Sequence, residues 1–232
     1  MEPFKKLNSD YLKVNPTWHV EDSEWKAGHI LHLINRNQLA PKSIVEIGCG
    51  AGEILCQLHN RMSDKIEFEG YEIAPDAHNL CLTRETTRLK FFNKDLYQSQ
   101  KVYDMLLMID VFEHVEDYIG FIRKGKDKAI YKIYHIPLDI SVYSVIINNF
   151  KYVRSPGGHL HYFTKYTALR TLTDNGHEIV DYFYTSAIID LYNRRTGHLN
   201  KCLNFIRKAI YRLNPDVAAK YLGGYSLMVL AK

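Results

Sequence analysis

The sequence of 232 residues predicts a doubly wound α/β fold, in which a mostly parallel sheet carries helices on both faces. Strand-like and helix-like patterns alternate along most of the chain. Residues 103–110 are nearly all apolar, as expected of a central parallel strand that is covered on both faces. Ser43–Leu55 runs from a β-branched strand through three alternate glycines into a helical pattern. In such a sheet, ligands bind at the carboxyl ends of the strands.

The first element is predicted to be a helical cap over residues 1–40. Asp22 or Ser23 caps a helix whose apolar residues, from Trp25 to Ile34, recur near helical spacing. The predicted strands of the sheet are residues 44–47, 66–73, 91–92, 103–110, 129–136, 178–184 and 225–231. The helices predicted between them include residues 53–60, a helix that begins at Pro75, and residues 164–172.

Two segments are predicted as insertions on the substrate side of a single domain that spans 1–232. Residues 138–162 are apolar enough to form a lid over the site, although an ordinary crossover helix fits equally well. Residues 191–224 include a basic amphipathic helix at 194–212. Its basic residues are Arg194, Arg195, Lys201, Arg207, Lys208 and Arg212. Such a helix suits an anionic substrate, a membrane surface or nucleic acid, or else packs on the sheet edge with its basic face in solvent.

Composition narrows the class of protein. The hydrophobic fraction of 46% and the charged fraction of 24% are ordinary for a globular protein, and the net charge of +4 gives no strong nucleic-acid signal. No apolar run is long enough to span a bilayer, and the N-terminus lacks the apolar core of a signal peptide. The four cysteines lack metal-type spacing. We therefore expect a cytoplasmic protein without a transmembrane segment.

The glycine loop predicts a cofactor site. Glycine is required where φ is positive or where a ligand approaches the backbone closely, and the helix that follows offers unpaired N–H groups. A dinucleotide site needs a third small residue at the position of Glu53, whose carboxylate would be bulky and would repel a pyrophosphate. The alternate-glycine form, with Glu46 two residues before the first glycine, resembles motif I of the class I S-adenosylmethionine (SAM) methyltransferases. SAM has no phosphate and carries a sulfonium and an ammonium, which tolerate nearby carboxylates. The loop therefore favours SAM over a dinucleotide.

Acids at successive strand ends extend this site. Glu72, followed by Ile73, ends the second strand, where an acid can accept hydrogen bonds from both ribose hydroxyls. Asp95, followed by Leu96, comes after the third strand and is placed to accept from an adenine amino group. Asp110 ends the fourth strand and lies beside the glycine turn if that strand neighbours the first. Any one of these acids alone would more often cap a loop.

Four segments together resemble motifs I to IV of the class I SAM-dependent methyltransferases: 45–52 (VEIGCGAG), 70–72 (GYE), 94–96 (KDL) and 109–115 (IDVFEHV). The resemblance implies a Rossmann-like sheet of seven strands, with the last strand antiparallel, and SAM as cofactor with S-adenosylhomocysteine (SAH) as product. It implies these cofactor-binding residues: Glu46, Gly48, Gly50, Gly52, Glu72, Ile73, Asp95, Leu96 and Asp110. The chain departs from many members at 123–128, where Arg-Lys-Gly-Lys-Asp-Lys replaces a Leu-x-Pro-Gly-Gly turn.

Histidines are the candidate catalytic bases. Methyl transfer is an in-line displacement that mainly needs alignment and exclusion of water, and a base is required if the acceptor is a hydroxyl or a protonated amine. His161 and His159 lie in a Gly-rich loop before the helix at Thr164, and His114 follows the fourth strand, where it can equally be a packing residue. His159 and His161 have the spacing to share a metal, but no carboxylate is close in sequence, so we expect no metal site.

The sequence therefore predicts SAM-dependent methyl transfer to a small-molecule acceptor such as a sugar or a secondary metabolite. An RNA methyltransferase is the runner-up, although the Asn/Asp-Pro-Pro-Tyr/Phe motif is absent and Asp110–Glu113 stands in its place. A SAM- or nucleotide-binding module without catalysis is the third possibility, because a fold and a cofactor site do not establish turnover.

Overall fold

The computed structural model describes residues 17–18, 20–154, 158–191 and 198–232, and within them seven strands form one sheet. The strands are β1 (Ser43–Ile47), β2 (Glu67–Tyr71), β3 (Leu89–Phe92), β4 (Tyr103–Ile109), β5 (Ala129–Pro137), β6 (Ile179–Thr185) and β7 (Ser226–Ala231). Their order is β3-β2-β1-β4-β5-β7-β6. The strands β1 to β5 pair in parallel, whereas β7 runs antiparallel to both β5 and β6. The predicted doubly wound sheet with an antiparallel last strand is confirmed.

The order of strands reverses direction between β1 and β4. From β1 the chain builds outward to β2 and β3 on one side, and then crosses to β4 and β5 on the other. The residues Ile44 and Met105 are paired across this junction. A crevice opens outside the carboxyl ends of the strands at such a switch point, and it is where ligands bind in open α/β sheets.

Helices cover both faces of the sheet. They are α1 (Ser23–Arg36), α2 (Glu53–Arg61), α3 (Pro75–Cys81), α4 (Tyr118–Gly125), α5 (Val142–Ile146), α6 (Phe150–Val153), α7 (Lys165–Asp174), α8 (Ala187–Asp190), α9 (His198–Leu213) and α10 (Pro215–Leu222). Among the described residues, no helix is both long and apolar enough to cross a bilayer.

Two hydrophobic clusters, one on each face, hold the sheet. Successive side chains of a strand point to opposite faces, so Ile44 packs in one cluster and Val45 in the other. The cluster of Ile44 includes Ile30 and Leu33 of α1, which are fully buried. Helix α1 therefore packs directly against the sheet, close to the strand that leads into the glycine loop.

The predicted caps and insertions contain helices where the structure describes them. The N-terminal cap contributes α1, while its residues 1–16 and 19 lie outside the described residues. The segment 138–162 contains α5 and α6, and the segment 191–224 contains α9 and α10. The predicted basic residues Arg194 and Arg195 lie outside the described residues.

Candidate active site

The three glycines of the loop all adopt left-handed backbone conformations, with φ of +69° at Gly48, +55° at Gly50 and +76° at Gly52. A Cβ at Gly48 would lie 2.9 Å from Val111, and a Cβ at Gly52 would lie 2.5 Å from Phe91. At Gly50 a Cβ would meet nothing closer than 4.0 Å. Gly48 and Gly52 therefore allow close packing, whereas Gly50 is less crowded, with only the ring of Trp18 at 4.0 Å.

Glu72 is held against this loop at the end of β2. Its Oε2 accepts a hydrogen bond from the backbone N–H of Gly50 at 2.9 Å, and its Oε1 accepts one from Ala74 at 2.8 Å. Burial raises the pKa of Glu72 despite these two bonds, since the side chain is only 6% exposed. The neighbouring Ile73 side chain is 56% exposed. The structure thus brings together Glu72, Ile73 and Gly50.

The segment that follows β3 is hydrogen-bonded to the end of β2. Asn93 donates from Nδ2 to the backbone carbonyl of Glu72 at 2.8 Å. Asp95 is half-buried and accepts from the N–H of Tyr97 at 2.9 Å, which caps a short helical turn. The side chain of Leu96 is fully buried in the hydrophobic core. Asp95, which is predicted to accept from the adenine amino group, is therefore partly exposed after β3, whereas the side chain of Leu96, also predicted to bind the cofactor, is not exposed.

Asp110 forms a charged network at the end of β4. One carboxylate oxygen lies 2.8 Å from Nζ of Lys26, and the other lies 2.6 Å from Nδ1 of His135. The Nε2 atom of His135 lies 2.8 Å from Oγ1 of Thr185. Burial alone would raise the pKa of Asp110, but His135 and Lys26 outweigh it and hold that pKa well below its usual range. Asp110 itself has a φ of +52°, a conformation rarely adopted by a residue with a side chain.

Lys26 reaches this network from α1, and sequence reasoning missed it. Burial lowers the pKa of Lys26, but the charge of Asp110 and the hydrogen bond to it raise that pKa above its ordinary value. In the sequence the two residues are far apart, and Lys26 has no local pattern that distinguishes it from a solvated helix residue. The one available signal was the amphipathic pattern of α1, which placed the helix on the sheet without indicating a lysine at the site.

Glu46 lies beneath the loop on β1 and is 2% exposed. Its Oε2 has no hydrogen-bond partner among the residues that the structure describes. Burial raises the pKa of Glu46 well above its usual range, and the nearby charge of Lys26 opposes this rise only in part. Glu46 is therefore a desolvated acid next to the glycine loop.

The three histidines that are predicted as candidate bases have two different sets of neighbours. His114 and His159 lie together, with ring centroids 5.0 Å apart. His161 instead donates from Nε2 to the carbonyl of Val115 at 2.9 Å, and its ring lies 4.3 Å from that of Tyr118. The alternation of His159 and His161 thus gives them different neighbours, and the pairing of His159 with His114 could not be predicted from spacing.

Two carboxylates accompany the histidine pair, contrary to the expectation from sequence proximity. Oδ2 of Asp139 lies 2.7 Å from Nδ1 of His159. Glu113 is fully buried, and its ligand atom lies within 4.8 Å of those of both His114 and His159. Sequence reasoning missed Glu113 and Asp139 because the fold, through the turn after β4, brings together segments that are distant in the chain.

The cofactor loop and the histidine-bearing turn are in contact. Strands β1 and β4 are parallel neighbours, so the turns that follow them lie side by side. Val111, which begins the turn carrying Glu113 and His114, packs where a Cβ of Gly48 would be. A group held at the glycine loop and a group held at the histidines would therefore lie at the same edge of the sheet, as group transfer requires.

Comparisons with known proteins agree with this geometry. A family model described as a methyltransferase domain matches residues 20–182. A curated relative, the ubiquinone biosynthesis O-methyltransferase of Rickettsia typhi, is 22% identical over 134 residues, which cover 51% of this chain. That match spans 53% of the relative, so the chain matches about half the length of that protein.

Solved structures share the fold. Magnesium protoporphyrin IX methyltransferase from Synechocystis PCC 6803, solved with bound SAH, has a TM-score of 0.59 at 16% identity, covering 90% of this chain and 81% of its own. A methyltransferase solved in complex with the Haloferax volcanii Trm112 activator has a TM-score of 0.64 at 13% identity, covering 91% and 90%. At these identities the likeness shows the fold alone. The family model spans more than half of the sequence, and the chain therefore belongs to the methyltransferase domain family of class I SAM-dependent methyltransferases.

Proposed function

We propose that this chain is an enzyme that transfers the methyl group of SAM to a small-molecule acceptor and leaves SAH. The observation that carries the donor site is the position of Glu72, whose two oxygens accept from Gly50 and Ala74 at the end of β2. A carboxylate oxygen has two lone-pair positions, so each oxygen keeps one position for a ribose hydroxyl. This geometry fits an adenosyl group bound across the switch point of the sheet.

The other predicted residues complete the donor site in this proposal. The less crowded position of Gly50 admits the ligand, and the exposed Ile73 offers an apolar surface to the adenine ring. Asp95 is the candidate acceptor for the adenine amino group. Asp110 supplies negative charge near the glycine loop, and Glu46 adds a buried carboxyl oxygen without a partner among the described residues. Both favour a ligand with a sulfonium and an ammonium over one with phosphates.

Calorimetry with SAM, SAH and NAD tests the donor. We expect SAM and SAH to bind and NAD not to bind. Glu72→Gln should lower the SAH affinity at least tenfold, because the amide nitrogen that replaces one carboxylate oxygen only donates, and it can accept neither from the backbone N–H nor from a ribose hydroxyl. Glu67→Gln is the matched control, because Glu67 is exposed at the other end of the same strand. Binding of NAD without either adenosyl compound would refute the proposal.

On the acceptor side, we propose that the pair His114 and His159 controls the proton of the acceptor. Asp139 lies 2.7 Å from Nδ1 of His159 and fixes its ring and tautomer, as an orienting acid does for a catalytic imidazole. His161 is held between Val115 and Tyr118 and is proposed as a positioning residue. If His114→Ala/His159→Ala left the rate of methyl transfer to the acceptor unchanged, this role would be excluded.

A small-molecule acceptor is supported by the absence of the RNA-type Pro-Pro motif after β4 and by the kind of relatives found. One relative is named as an O-methyltransferase of ubiquinone biosynthesis, and a fold neighbour is named as a porphyrin methyltransferase. Incubation with methyl-labelled SAM should transfer label to members of a panel of hydroxylated and carboxylated metabolites, sugars included. Transfer to RNA alone would favour the runner-up activity.

The exposed face of α9 is proposed to bind an anionic partner, either the acceptor or an anionic surface. Lys201, Lys208 and Arg212 are exposed on this helix, beside the exposed Phe205 and Leu213. Neutralising the three charges with glutamine should raise the KM for an anionic acceptor and remove its dependence on salt. A KM that is insensitive to salt in the unmodified protein would argue against this role.

Arg207 does not belong to that basic face. It is 5% exposed, donates to the carbonyl of Leu222 and to Oδ1 of Asn204, and lies over the ring of Tyr143. Arg207 therefore lies apart from the exposed basic residues, and it joins α9 to α10 and to the segment that contains α5.

A further inference from the structure

Three side chains with metal-binding atoms meet beside the glycine loop. Glu113 and His114 lie in the short helical turn after β4, and His159 lies in the loop before α7. One ligand atom from each of the three lies within 4.8 Å of the others. The backbone N–H groups of Leu160 and His161 both donate to the carbonyl of Glu113, at 2.7 and 3.2 Å. This pairing fixes the histidine loop against the turn and keeps the three groups together.

The carboxylate of Glu113 is unusual in its surroundings. The residue is fully buried, and neither of its carboxylate oxygens has a hydrogen-bond partner in the part of the chain that the structure describes. Burying a carboxyl without a partner is costly, and a bound ion is one way in which such a group gains a partner. The nearby carboxylates of Asp110 and Asp139 add negative charge, which Lys26 offsets only in part, and they favour a cation as that ligand.

A polar group near Nδ1 orients the ring of each of the two histidines. Nδ1 of His159 lies 2.7 Å from the carboxylate of Asp139, and Nδ1 of His114 lies 3.2 Å from the carbonyl of Gly158. An acceptor at Nδ1 places the ring proton there and the lone pair on Nε2. Histidines that bind metal ions almost always donate their other ring N–H to a carboxylate or a backbone carbonyl in this way.

We propose that Glu113, His114 and His159 bind one divalent first-row transition-metal ion. Two imidazoles and one carboxylate form a ligand set that suits these ions and leaves coordination positions open. Atoms that each bind an ion at about 2.1 Å lie at most about 4.2 Å apart, so the cluster needs only a small side-chain movement to close on it.

The role of the ion rests on the proposed function, whereas its binding does not. An acceptor hydroxyl that binds in an open position would have its pKa lowered by the ion, as bound water does. The hydroxyl proton would leave to solvent, the oxygen would form a bond to the methyl carbon, and the S–CH₃ bond would break with its electron pair returning to sulfur. The acceptor would then be an oxygen nucleophile, and His114 and His159 would control its proton through the ion that they bind, not by accepting the proton themselves.

Titration of metal-free protein with Co²⁺ tests the proposal without donor or acceptor. A Cys202→Ser background removes the exposed thiol, which is another possible ligand. Visible absorption of bound Co²⁺ should saturate at one ion per chain, and equilibrium dialysis with Zn²⁺ should give the same stoichiometry. Glu113→Gln and His159→Gln should each lower the affinity at least tenfold. Asp139→Asn should lower it about tenfold or more through loss of the orienting carboxylate.

His59→Gln is the matched control, because it removes an imidazole on α2, outside the cluster, and should leave the titration unchanged. Circular dichroism checks that each variant is folded, and His159→Gln, in a loop, serves if Glu113→Gln fails to fold. Equal binding by the wild type and the Glu113→Gln/His159→Gln variant, or tighter binding of Mg²⁺ than of Co²⁺, would overturn the assignment.

SAH calorimetry on the same metal-free protein separates the two proposals. Binding of SAH without any specific ion would overturn the metal site and leave the donor site standing. Binding of the ion without SAH would overturn the donor site and leave the metal site standing.

Discussion

At the scale of single residues, the three glycines of the loop have the same backbone handedness but different neighbours. Gly52 faces the ring of Phe91, and Gly48 faces Val111, whereas Gly50 has only the ring of Trp18 at 4.0 Å. The resemblance implies that all three glycines bind the cofactor. Their surroundings show close packing at Gly48 and Gly52 and a less crowded position at Gly50, and this difference depends on contacts with distant segments.

A pair of alanine substitutions separates these roles. Gly50→Ala should lower the free energy of unfolding by only about 1 kcal/mol, the cost of a left-handed alanine, and should lower the SAH affinity at least tenfold. Gly52→Ala adds a clash 2.5 Å from Phe91 and should cost about 3 kcal/mol of stability. Urea unfolding without ligand and calorimetry with SAH measure the two effects. Equal stability losses in both variants would contradict the assignment.

Glu46 allows a prediction on pH. Burial raises the pKa of Glu46, so the folded protein keeps a proton that the unfolded chain releases above about pH 4.3. The unfolded chain then binds fewer protons, and stability is lost as the pH rises through this range. Glutamine does not titrate. The free energy of unfolding of Glu46→Gln, relative to that of the wild type, should therefore rise by about 1 kcal/mol or more from pH 5 to pH 8.

Urea unfolding at the two pH values, without donor, measures this gain. The control variant Glu67→Gln, at an exposed position, should differ from the wild type in free energy of unfolding by the same amount at pH 5 and at pH 8. A Glu46→Gln difference that does not change with pH would contradict the prediction. If Glu46 also contributes to the donor site, the stabilised variant should bind SAH more weakly.

The strand-end acids could be predicted because each one follows a recognisable strand and is read from a local pattern. Glu72 lies beside the glycine loop and contacts it. The partners of the acids could not be predicted. Lys26, Glu113 and Asp139 act through pairings between segments that only the packing of α1 and the turns after β4 and β5 bring together.

At the scale of elements, the loop of residues 158–164, which carries His159 and His161, is fixed at two places. Its backbone is bonded to the carbonyl of Glu113, and it leads into α7, whose first turn carries a capping box between Thr164 and Thr167. The predicted cap at Thr164 is confirmed. The cap satisfies N–H groups at the start of the helix and so holds the end of the loop.

Thr164→Ala should therefore lower the free energy of unfolding by about 1 kcal/mol, since the side-chain acceptor for the N–H of Thr167 is lost. Thr173→Ala, at the exposed C-terminal end of the same helix, should change it by less than about 0.5 kcal/mol. Urea unfolding of both variants measures the difference. Similar losses in both variants would show that the cap is not what stabilises this helix.

At the scale of the whole molecule, the order of elements was enough to predict a doubly wound sheet, and the resemblance added the antiparallel last strand. The third strand begins two residues earlier than predicted, at Leu89, because its pairing with β2 extends the ladder beyond the apolar pair at 91–92. Local patterns report the apolar centre of a strand, whereas its ends are set by the neighbouring strand.

Donor binding should stabilise the entire fold, because the glycine loop connects β1 to α2 and contacts β2 through Glu72. At an SAH concentration of 100 times its Kd, we expect a gain of about 2.7 kcal/mol in the free energy of unfolding. Thermal unfolding with increasing SAH measures this gain as a rising Tm. NAD should not change the Tm, and Glu72→Gln should require a higher SAH concentration for the same rise.

Helix α1 joins α8 to the site. Trp25 donates from Nε1 to Asp190 at 3.1 Å, and Lys26, next to it, pairs with Asp110. An expression fragment trimmed to start at β1 would keep every strand and the glycine loop, yet would leave Asp110 without its lysine and Ile44 without its helix cover. Protein engineers who shorten or fuse this chain should therefore treat α1 as part of the catalytic unit and place any junction upstream of it.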